Sequence, residues 1–180
     1  VFKRKYTNLI LSFMIYHSSY SKQLLISTIL FMVILISALV YMIYQLSYIP
    51  KFSANFYIIC CAFLIVCSTI IHSFCHQIRN VEFRDGVLIL HKFCGAIDIP
   101  AKHIIAIGKK TPIAKDIRLF AVGGLFGYIG TFRGNDCGQY KAYVNNGSNA
   151  FYVKTEDGKC YVASCNNAEE LIELVKQRIH

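Results

Sequence analysis

Two uncharged apolar stretches near the start of the chain constrain its fold more than any other feature. They are Leu24–Tyr44 and Phe56–Phe74, and no acidic residue precedes Glu82. A bilayer core about 30 Å thick is crossed by about 20 apolar residues in a helix, so each stretch is long enough to span it. Neither stretch shows the polar stripe of a surface helix in a soluble protein. The sequence therefore predicts a transmembrane helical hairpin rather than two buried core helices or a cleaved signal peptide.

The flanking cations predict how this hairpin is oriented. The loop between the two stretches, residues 45–55, holds one cation, whereas the outer flanks hold six. The loop cation is Lys51, and the flanking cations are Lys3, Arg4, Lys5, Lys22, Arg79 and Arg84. Because cytoplasmic flanks of membrane helices are enriched in Lys and Arg, both ends of the chain are expected in the cytoplasm.

Residues 1–22 form a predicted cytoplasmic segment that leaves two questions open. Leu9–Tyr16 is apolar but too short to span a bilayer, which is typical of an interfacial helix. The chain begins with Val1, and Met14 is an alternative initiator directly before the lead-in to the first span. The sequence does not choose between these interpretations.

The eight cysteines do not show the spacing of a metal site. Four lie in or at the end of the second apolar stretch, four are scattered through the C-terminal part, and no C-x-x-C pair exists. A reducing cytoplasm also disfavours disulfides. His72 and His76, with Cys75 between them, are the alternative metal-binding set, and polar residues marking the membrane exit are the favoured interpretation.

From residue 76 to residue 180 the pattern changes to short strands separated by turns. Asp85-Gly86 between Ile78–Arg84 and Val87–Lys92 predicts a two-residue hairpin, since Asp-Gly accepts positive φ angles. Asn167–Ile179 has one apolar stripe with acidic residues in its first turn, which predicts an amphipathic helix. Further strands are predicted at Cys94–Ile99, Ile104–Lys110, Arg118–Val122, Phe126–Phe132, Gln139–Val144, Asn149–Lys154 and Lys159–Ser164. This order predicts a pleckstrin-homology-like (PH-like) antiparallel barrel of about seven strands, capped by one C-terminal helix.

A resemblance to a known family supports this layout. Ile117–Phe132, IRLFAVGGLFGYIGTF, resembles the signature of a bacterial PH-like domain family found in membrane proteins of Bacteroidetes-type organisms. HSSYSKQ at 17–23 is similar to the family's lead-in to the first span, although Ala121 stands where Gly or Ser is usual. The resemblance covers residues 14–179. It implies a two-helix anchor in the bacterial inner membrane with a PH-like domain on its C-terminal side, and it implies no reaction.

The glycines of this segment fit neither common phosphate-binding pattern, so backbone bending in a coiled sheet is the favoured interpretation. Their aromatic and apolar neighbours are then expected to be mostly core and rim residues: Phe120, Leu125, Phe126, Tyr128 and Phe132. No spacing of His, Ser, Cys or Asp predicts catalysis, and the sequence implies no cofactor and no metal. Nucleic acid is not an expected partner, because a basic helix and an aromatic RNA-binding motif are both missing.

Three functions remain as hypotheses. The favoured one is a non-enzymatic protein-interaction or scaffolding module at the cytoplasmic face of the membrane, with a protein partner or a second copy as its target. The second is binding of an anionic lipid headgroup by cations of the 109–118 loop and a nearby strand. The cations of this hypothesis are Lys109, Lys110, Lys115, Arg118 and Arg133. The third is an accessory subunit of a membrane enzyme complex.

Overall fold

The computed structural model describes residues 13–50, 53–110, 113–124 and 126–179. Several sequence predictions concern residues outside these ranges. They are the flanking and loop cations Lys3, Arg4, Lys5 and Lys51, the choice of start residue at Val1, and Leu125.

The two apolar stretches form the long helices α1, Lys22–Tyr48, and α2, Ala54–Cys75. Each begins at a serine cap: Ser21 Oγ accepts from the Leu24 amide, and Ser53 Oγ accepts from the Phe56 amide, both at 3.2 Å. Both helices are long and apolar enough to cross a membrane, and their apolar side chains, apart from the buried Leu24, are exposed or partly exposed. The prediction of two apolar helices is confirmed, and their exposure distinguishes them from the core helices of a soluble protein.

The strands of the described residues form two sheets. The first sheet has the order β1-β2-β3-β4 and the second has the order β5-β9-β10-β8-β7-β6. The strands of the first sheet are β1 Phe13–His17, β2 Ile78–Arg84, β3 Val87–Lys92 and β4 Ala96–Pro100. Those of the second sheet are β5 Ile104–Lys109, β6 Ile117–Gly123, β7 Tyr128–Gly134, β8 Gly138–Val144, β9 Ala150–Thr155 and β10 Cys160–Ser164. Helix α3, Ala168–Ile179, follows β10.

The mainly-β fold with a C-terminal helix is confirmed, and each predicted strand from residue 78 onward is present within a few residues. The predicted hairpin turn is formed by Asp85 and Gly86, with φ angles of 51° and 76°. One pairing differs from the all-antiparallel prediction, since β8 and β10 are parallel, with Tyr161 opposite Lys141. The reason is topological, because β10 lies between β8 and β9 in the sheet. Strand β9 runs opposite to β8, and β10 pairs antiparallel with β9, so β10 runs in the same direction as β8.

Strand β1 corrects the interpretation of the N-terminal segment. Phe13–His17 pairs antiparallel with β2, with Met14 opposite Phe83, so the described part of Leu9–Tyr16 is a strand and the prediction of an interfacial helix is wrong there. Tyr16 is buried in the domain core, and Met14 packs against that core. The segment that precedes the first membrane-length helix is therefore part of the same sheet as residues that follow the second.

The main core lies between the two sheets and α3. The first sheet contributes Val81, Leu88 and Leu90, and the second contributes Phe151 and Val153, all fully buried. The apolar stripe of α3 closes this core through Leu171, Ile172, Leu174 and Val175. Because side chains alternate across a strand, the opposite face of the second sheet forms a smaller cluster, which Ile113 of the β5–β6 connection covers. The second sheet is thus buried on both faces at its centre.

Candidate functional site at the junction of the helices and the domain

The turn of the β6–β7 hairpin is built by glycines. The hairpin pairs from Ile117–Arg133 to Gly123–Tyr128, and Gly124, Phe126 and Gly127 lie at its tip. Gly124 and Gly127 have φ angles of 105° and 145°, a region that favours glycine. A Cβ on Gly127 would also lie 2.7 Å from the carbonyl oxygen of Val144. The glycine-rich sequence therefore allows a compact tip that fits against neighbouring backbone.

The hairpin tip is hydrogen-bonded to the first turns of α1. The hydroxyls of Ser27 and Thr28 both donate to the carbonyl oxygen of Gly124 at 3.1 Å. Thr28 Oγ1 also accepts from the backbone amide of Phe126 at 3.2 Å, so one hydroxyl satisfies two backbone groups of the tip. Phe31 lies one turn further along α1, and its ring is 3.4 Å from where a Cβ of Gly124 would stand. Thr28 is only 8 % exposed, although most of the surface of α1 is exposed.

The same tip contacts the end of α2. Gln77, two residues beyond that helix and fully buried, donates from Nε2 to the carbonyl oxygen of Phe126 at 3.2 Å. The ring of Phe74 packs edge-on against that of Phe126, with the ring centroids 5.9 Å apart. It also packs in a tilted arrangement against Phe93 of the β3–β4 turn, with the centroids 4.7 Å apart. The tip therefore lies between the start of one helix and the end of the other.

Further backbone contacts join the two chain connections to the domain. The amide of Ser21, the α1 cap, donates to the carbonyl of Asn145 at 3.2 Å. The amide of Cys94 donates to the carbonyl of Cys75 at 3.0 Å, and the Sγ atoms of these cysteines are 2.6 Å apart. The start of α1 and the end of α2 are thus each hydrogen-bonded to the domain.

Two clefts flank the hairpin at this junction. The first, of about 590 Å³, lies beside the start of α1 and is lined by Ser21, Ser27 and Arg118 together with residues of the β8–β9 connection. The Arg118 guanidinium folds back against Gly123, since a Cβ there would be 2.9 Å from the Arg118 Cζ. The second cleft, of about 730 Å³, lies between the last turns of α2 and strands β6, β7 and β8.

Of the five predicted cations, Lys110 is placed inside the domain. It is 2 % exposed, and its Nζ lies 2.9 Å from Asp116 Oδ2 and 3.0 Å from Asp136 Oδ2. Burial pulls the pKa of Lys110 down, but the hydrogen bonds from Asp116 and Asp136 outweigh it, so its pKa is raised. Tyr140 also donates to Asp116, and burial together with this carboxylate raises the pKa of Tyr140. Lys110 therefore belongs to a buried ion-pair cluster and not to an exposed basic loop.

The other four cations differ in their surroundings. Lys109 is half-exposed and pairs with Glu169 of α3 at 2.8 Å, which holds the pKa of Glu169 below its usual range. Lys115 and Arg133 are exposed, with Arg133 at the end of the hairpin away from the tip. Arg118 is the member that the fold brings to the junction.

The aromatic and histidine predictions have mixed outcomes. Phe132 is fully buried and Tyr128 is half-buried, but Phe120 is 89 % exposed, which corrects its expected place in the core or rim. The rings of His72 and His76 stack at 4.1 Å, as their spacing on a helix predicts. Within the ranges that the structure describes, no three His, Cys, Asp or Glu side chains are grouped so that they could hold a metal ion.

Ser27, Thr28 and Gln77 are the junction residues that sequence reasoning missed. Their signal is weak but present: a Ser-Thr pair near the start of an apolar span and a glutamine directly after another. Polar side chains at such positions satisfy backbone groups that water cannot reach.

The fold and the junction define a class of protein in which a mainly-β domain with a C-terminal helix is fixed to a pair of membrane-length apolar helices. The model of the bacterial PH domain family matches residues 79–179, which are 101 of the 180 residues, and the chain belongs to that family. Comparison with curated proteins and with solved structures found no match. The family match begins after Gln77, so it covers the hairpin tip but neither the two helices nor β1.

Proposed function

We propose that this protein is a non-enzymatic interaction module that holds its PH domain in one orientation at the cytoplasmic face of a bacterial inner membrane and presents it to a protein partner. The observation that carries the proposal is the hairpin tip between α1 and α2, hydrogen-bonded to Thr28 on one side and Gln77 on the other. Both ends of the chain are then cytoplasmic, because the start of α1 and the end of α2 both contact the domain.

The contacts hold the domain in one orientation relative to the helices, which is more than is needed to tether it to a membrane. A flexible linker would be enough to concentrate a domain at a membrane, and it would need no hydrogen bonds between domain and helices. Here Thr28 and Gln77 are buried against backbone groups of the tip, and leaving such groups unpaired costs about 1–3 kcal/mol each. This arrangement favours a role in which one particular surface must face the solution.

The surface that faces away from the junction is the set of strand ends at the β2–β3 and β9–β10 turns, which we call the outer rim. A cleft of about 480 Å³ lies there, lined by Asp98 and Pro100 of β4, by His103, and by residues of the β9–β10 turn. His103 and Glu156 pair across this cleft at 3.1 Å. Strand β4 ends the first sheet, so its outer edge is suited to pairing with a strand of a partner protein. We therefore place the partner at β4 and the outer rim.

Photocrosslinking in cells tests this proposal. Benzoylphenylalanine at the exposed Asp98 is expected to give a discrete adduct whose partner peptide is identified by mass spectrometry. The same group at Gln177, exposed on α3, is the matched control and is expected to give no such adduct. The proposal fails if the two positions give the same adducts or if neither gives one. The identity of the partner also decides whether the chain is an accessory subunit of a membrane enzyme.

The Arg118 cleft supports a second candidate, binding of an anionic lipid headgroup. A guanidinium beside two serine hydroxyls and the start of a helix is suited to a phosphate group. Native mass spectrometry of the full chain from nanodiscs of phosphatidylglycerol and phosphatidylcholine tests it. Arg118→Gln is expected to lose retained phosphatidylglycerol while Arg133→Gln keeps it. If the wild-type chain retains both lipids equally, this candidate is ruled out.

A further inference from the structure

Strand β6 exposes four consecutive residues, which is unusual for a strand. Side chains normally alternate between the two faces of a sheet. Here Ile117, Leu119 and Phe120 are 63 %, 48 % and 89 % exposed, with the exposed Arg118 between them. The pairing with β7 shifts between Arg118 and Phe120, and such a bulge re-aims neighbouring side chains. The result is an apolar ridge along the outermost strand of the second sheet.

Contacts with α1 indicate how close the hairpin lies to the bilayer. The tip is hydrogen-bonded to Thr28 and packs against Phe31. These residues follow Leu24, the first of the uncharged apolar span, by four and seven positions, or about 6 and 10 Å along the helix axis. The tip is therefore level with the first turns of a membrane-length helix.

A cleft shared with α2 places the ridge itself at a similar depth. Leu119 and Phe120 line the 730 Å³ cleft together with Ser68 and Thr69. Those two α2 residues precede Cys75, the last residue of the helix, by seven and six positions, which is about 10 Å of helix. The ridge thus faces the last two turns of a helix that exposes large apolar side chains, among them Leu64, Ile65 and Ile71.

We infer that β6 lies in the bilayer interface, with Leu119 and Phe120 inserted among the acyl chains of the leaflet that the domain faces. The occupant of the ridge is lipid because α2 exposes apolar side chains at the same level: Ile65 and Ile71, next in the helix to the polar residues that line the cleft, are 66 % and 63 % exposed. The strand stays in the headgroup layer rather than the hydrocarbon core, because an unpaired sheet edge needs water or headgroups as hydrogen-bond partners. Lys141 lines the same cleft and supplies a cation at the level of the phosphates.

The inference makes the hairpin a third membrane contact beside the two helices. It goes beyond the proposed partner interaction, which uses the opposite end of the domain. A second copy of the chain pairing edge to edge through β6 is the competing occupant, and the experiment separates the two.

Tryptophan fluorescence of the full chain in lipid vesicles tests the inference, because the sequence contains no tryptophan. Phe120→Trp places a single probe on the ridge, where the exposure of the native ring leaves room for it. Ile105→Trp is the matched control: Ile105 is 63 % exposed, lies at a register shift, and belongs to β5 at the other edge of the same sheet. The vesicles are phosphatidylcholine, with or without bromine atoms on the acyl chains, and iodide serves as the aqueous quencher.

The expected result is that Phe120→Trp emits at shorter wavelength, loses emission in brominated vesicles and is protected from iodide. Ile105→Trp is expected to be quenched by iodide and unaffected by bromine. The inference is overturned if the Phe120→Trp probe is quenched by iodide as strongly as the control. It is also overturned if the probe is shielded from both quenchers, which would identify a protein occupant.

Discussion

The hydroxyl of Thr28 donates to the carbonyl oxygen of Gly124 and accepts from the amide of Phe126, so one side chain of α1 holds both arms of the β6–β7 turn. Thr28 and Gly124 are 96 residues apart in the chain. Their contact joins an apolar helix to a turn in which Gly124 and Gly127 have positive φ angles, and it fixes the membrane-length helix to the domain.

Thr28→Val is expected to loosen this junction while keeping the shape of the side chain. The substitution leaves the amide of Phe126 without its acceptor and removes one of the two hydroxyls that donate to the carbonyl of Gly124, which costs about 1–3 kcal/mol. Thermal unfolding in detergent micelles measures the effect, with limited proteolysis after Arg118 and Arg133 as a local readout. Thr69→Val is the control, since Thr69 bonds only within its own helix. Equal midpoints for the two variants would contradict the structural role of Thr28.

Gly130→Ala is expected to disrupt the hairpin above its tip. Gly130 has a φ of 123°, and an added Cβ would lie 2.6 Å from the Cα of Ala121 and clash with the carbonyl of Phe120. A strained φ of this kind costs about 1–3 kcal/mol before the clash is counted. The unfolding midpoint of the full chain measures it against Gly147→Ala, where the new methyl meets nothing within 4 Å. A Gly130→Ala protein as stable as the control would mean that β6 and β7 do not approach as described.

Lys110→Met is expected to destabilise the domain by about 3–5 kcal/mol, because removing one partner of a buried ion pair leaves the other charge uncompensated. The charge left behind is mainly that of Asp116, which is only 10 % exposed. Lys109→Met is the control and should cost at most about 1 kcal/mol, since the Lys109–Glu169 pair is exposed. Denaturant unfolding of both variants measures the difference. Equal losses would place Lys110 on the surface.

Tyr16 gives a pH-dependent test of β1. Burial, followed by the nearby Glu170 carboxylate, raises the pKa of Tyr16 from 10.0 to about 12. A folded-state pKa above the unfolded value means that the contribution to stability is complete below pH 10 and is lost as the pH rises toward 12. Tyr16→Phe should therefore lose less stability than wild type over this alkaline window, measured by unfolding at successive pH values. Identical pH profiles would show that Tyr16 is not in the core.

Local sequence patterns predicted those parts of the fold that local physics determines. Asp85-Gly86 forms its hairpin because both residues tolerate positive φ, and the stripe of Leu171 and Val175 defines the buried face of α3. Strand β1 was not predicted, because its partner Phe83 lies about 70 residues away and an apolar FMIYH segment alone does not specify pairing. The same holds for the parallel β8–β10 pair, which depends on where β9 is placed.

The candidate site was less predictable than the fold for a related reason. From the sequence, Lys110 is predicted to be one cation of a basic loop. Its burial depends on Asp116 and Asp136, which only the folded chain brings next to it. The glycines of the β6–β7 segment were predicted to bend the backbone, and Gly124, Gly127 and Gly130 have positive φ angles. No local signal, however, shows that their turn contacts Thr28 and Gln77. Of the five predicted cations, Arg118 is the one that lines a cleft at the junction.

The central claim, that the hairpin tip sits between the helices, is tested most directly by photocrosslinking within the chain. Benzoylphenylalanine at Phe31, whose ring lies beside Gly124, is expected to join the α1 peptide to the tryptic peptide 119–133 in native membranes. The same group at Tyr41, an exposed position further along α1, should not reach that peptide. An adduct to 119–133 from position 31 alone is the predicted result. No adduct from position 31, or equal adducts from both positions, would contradict the account.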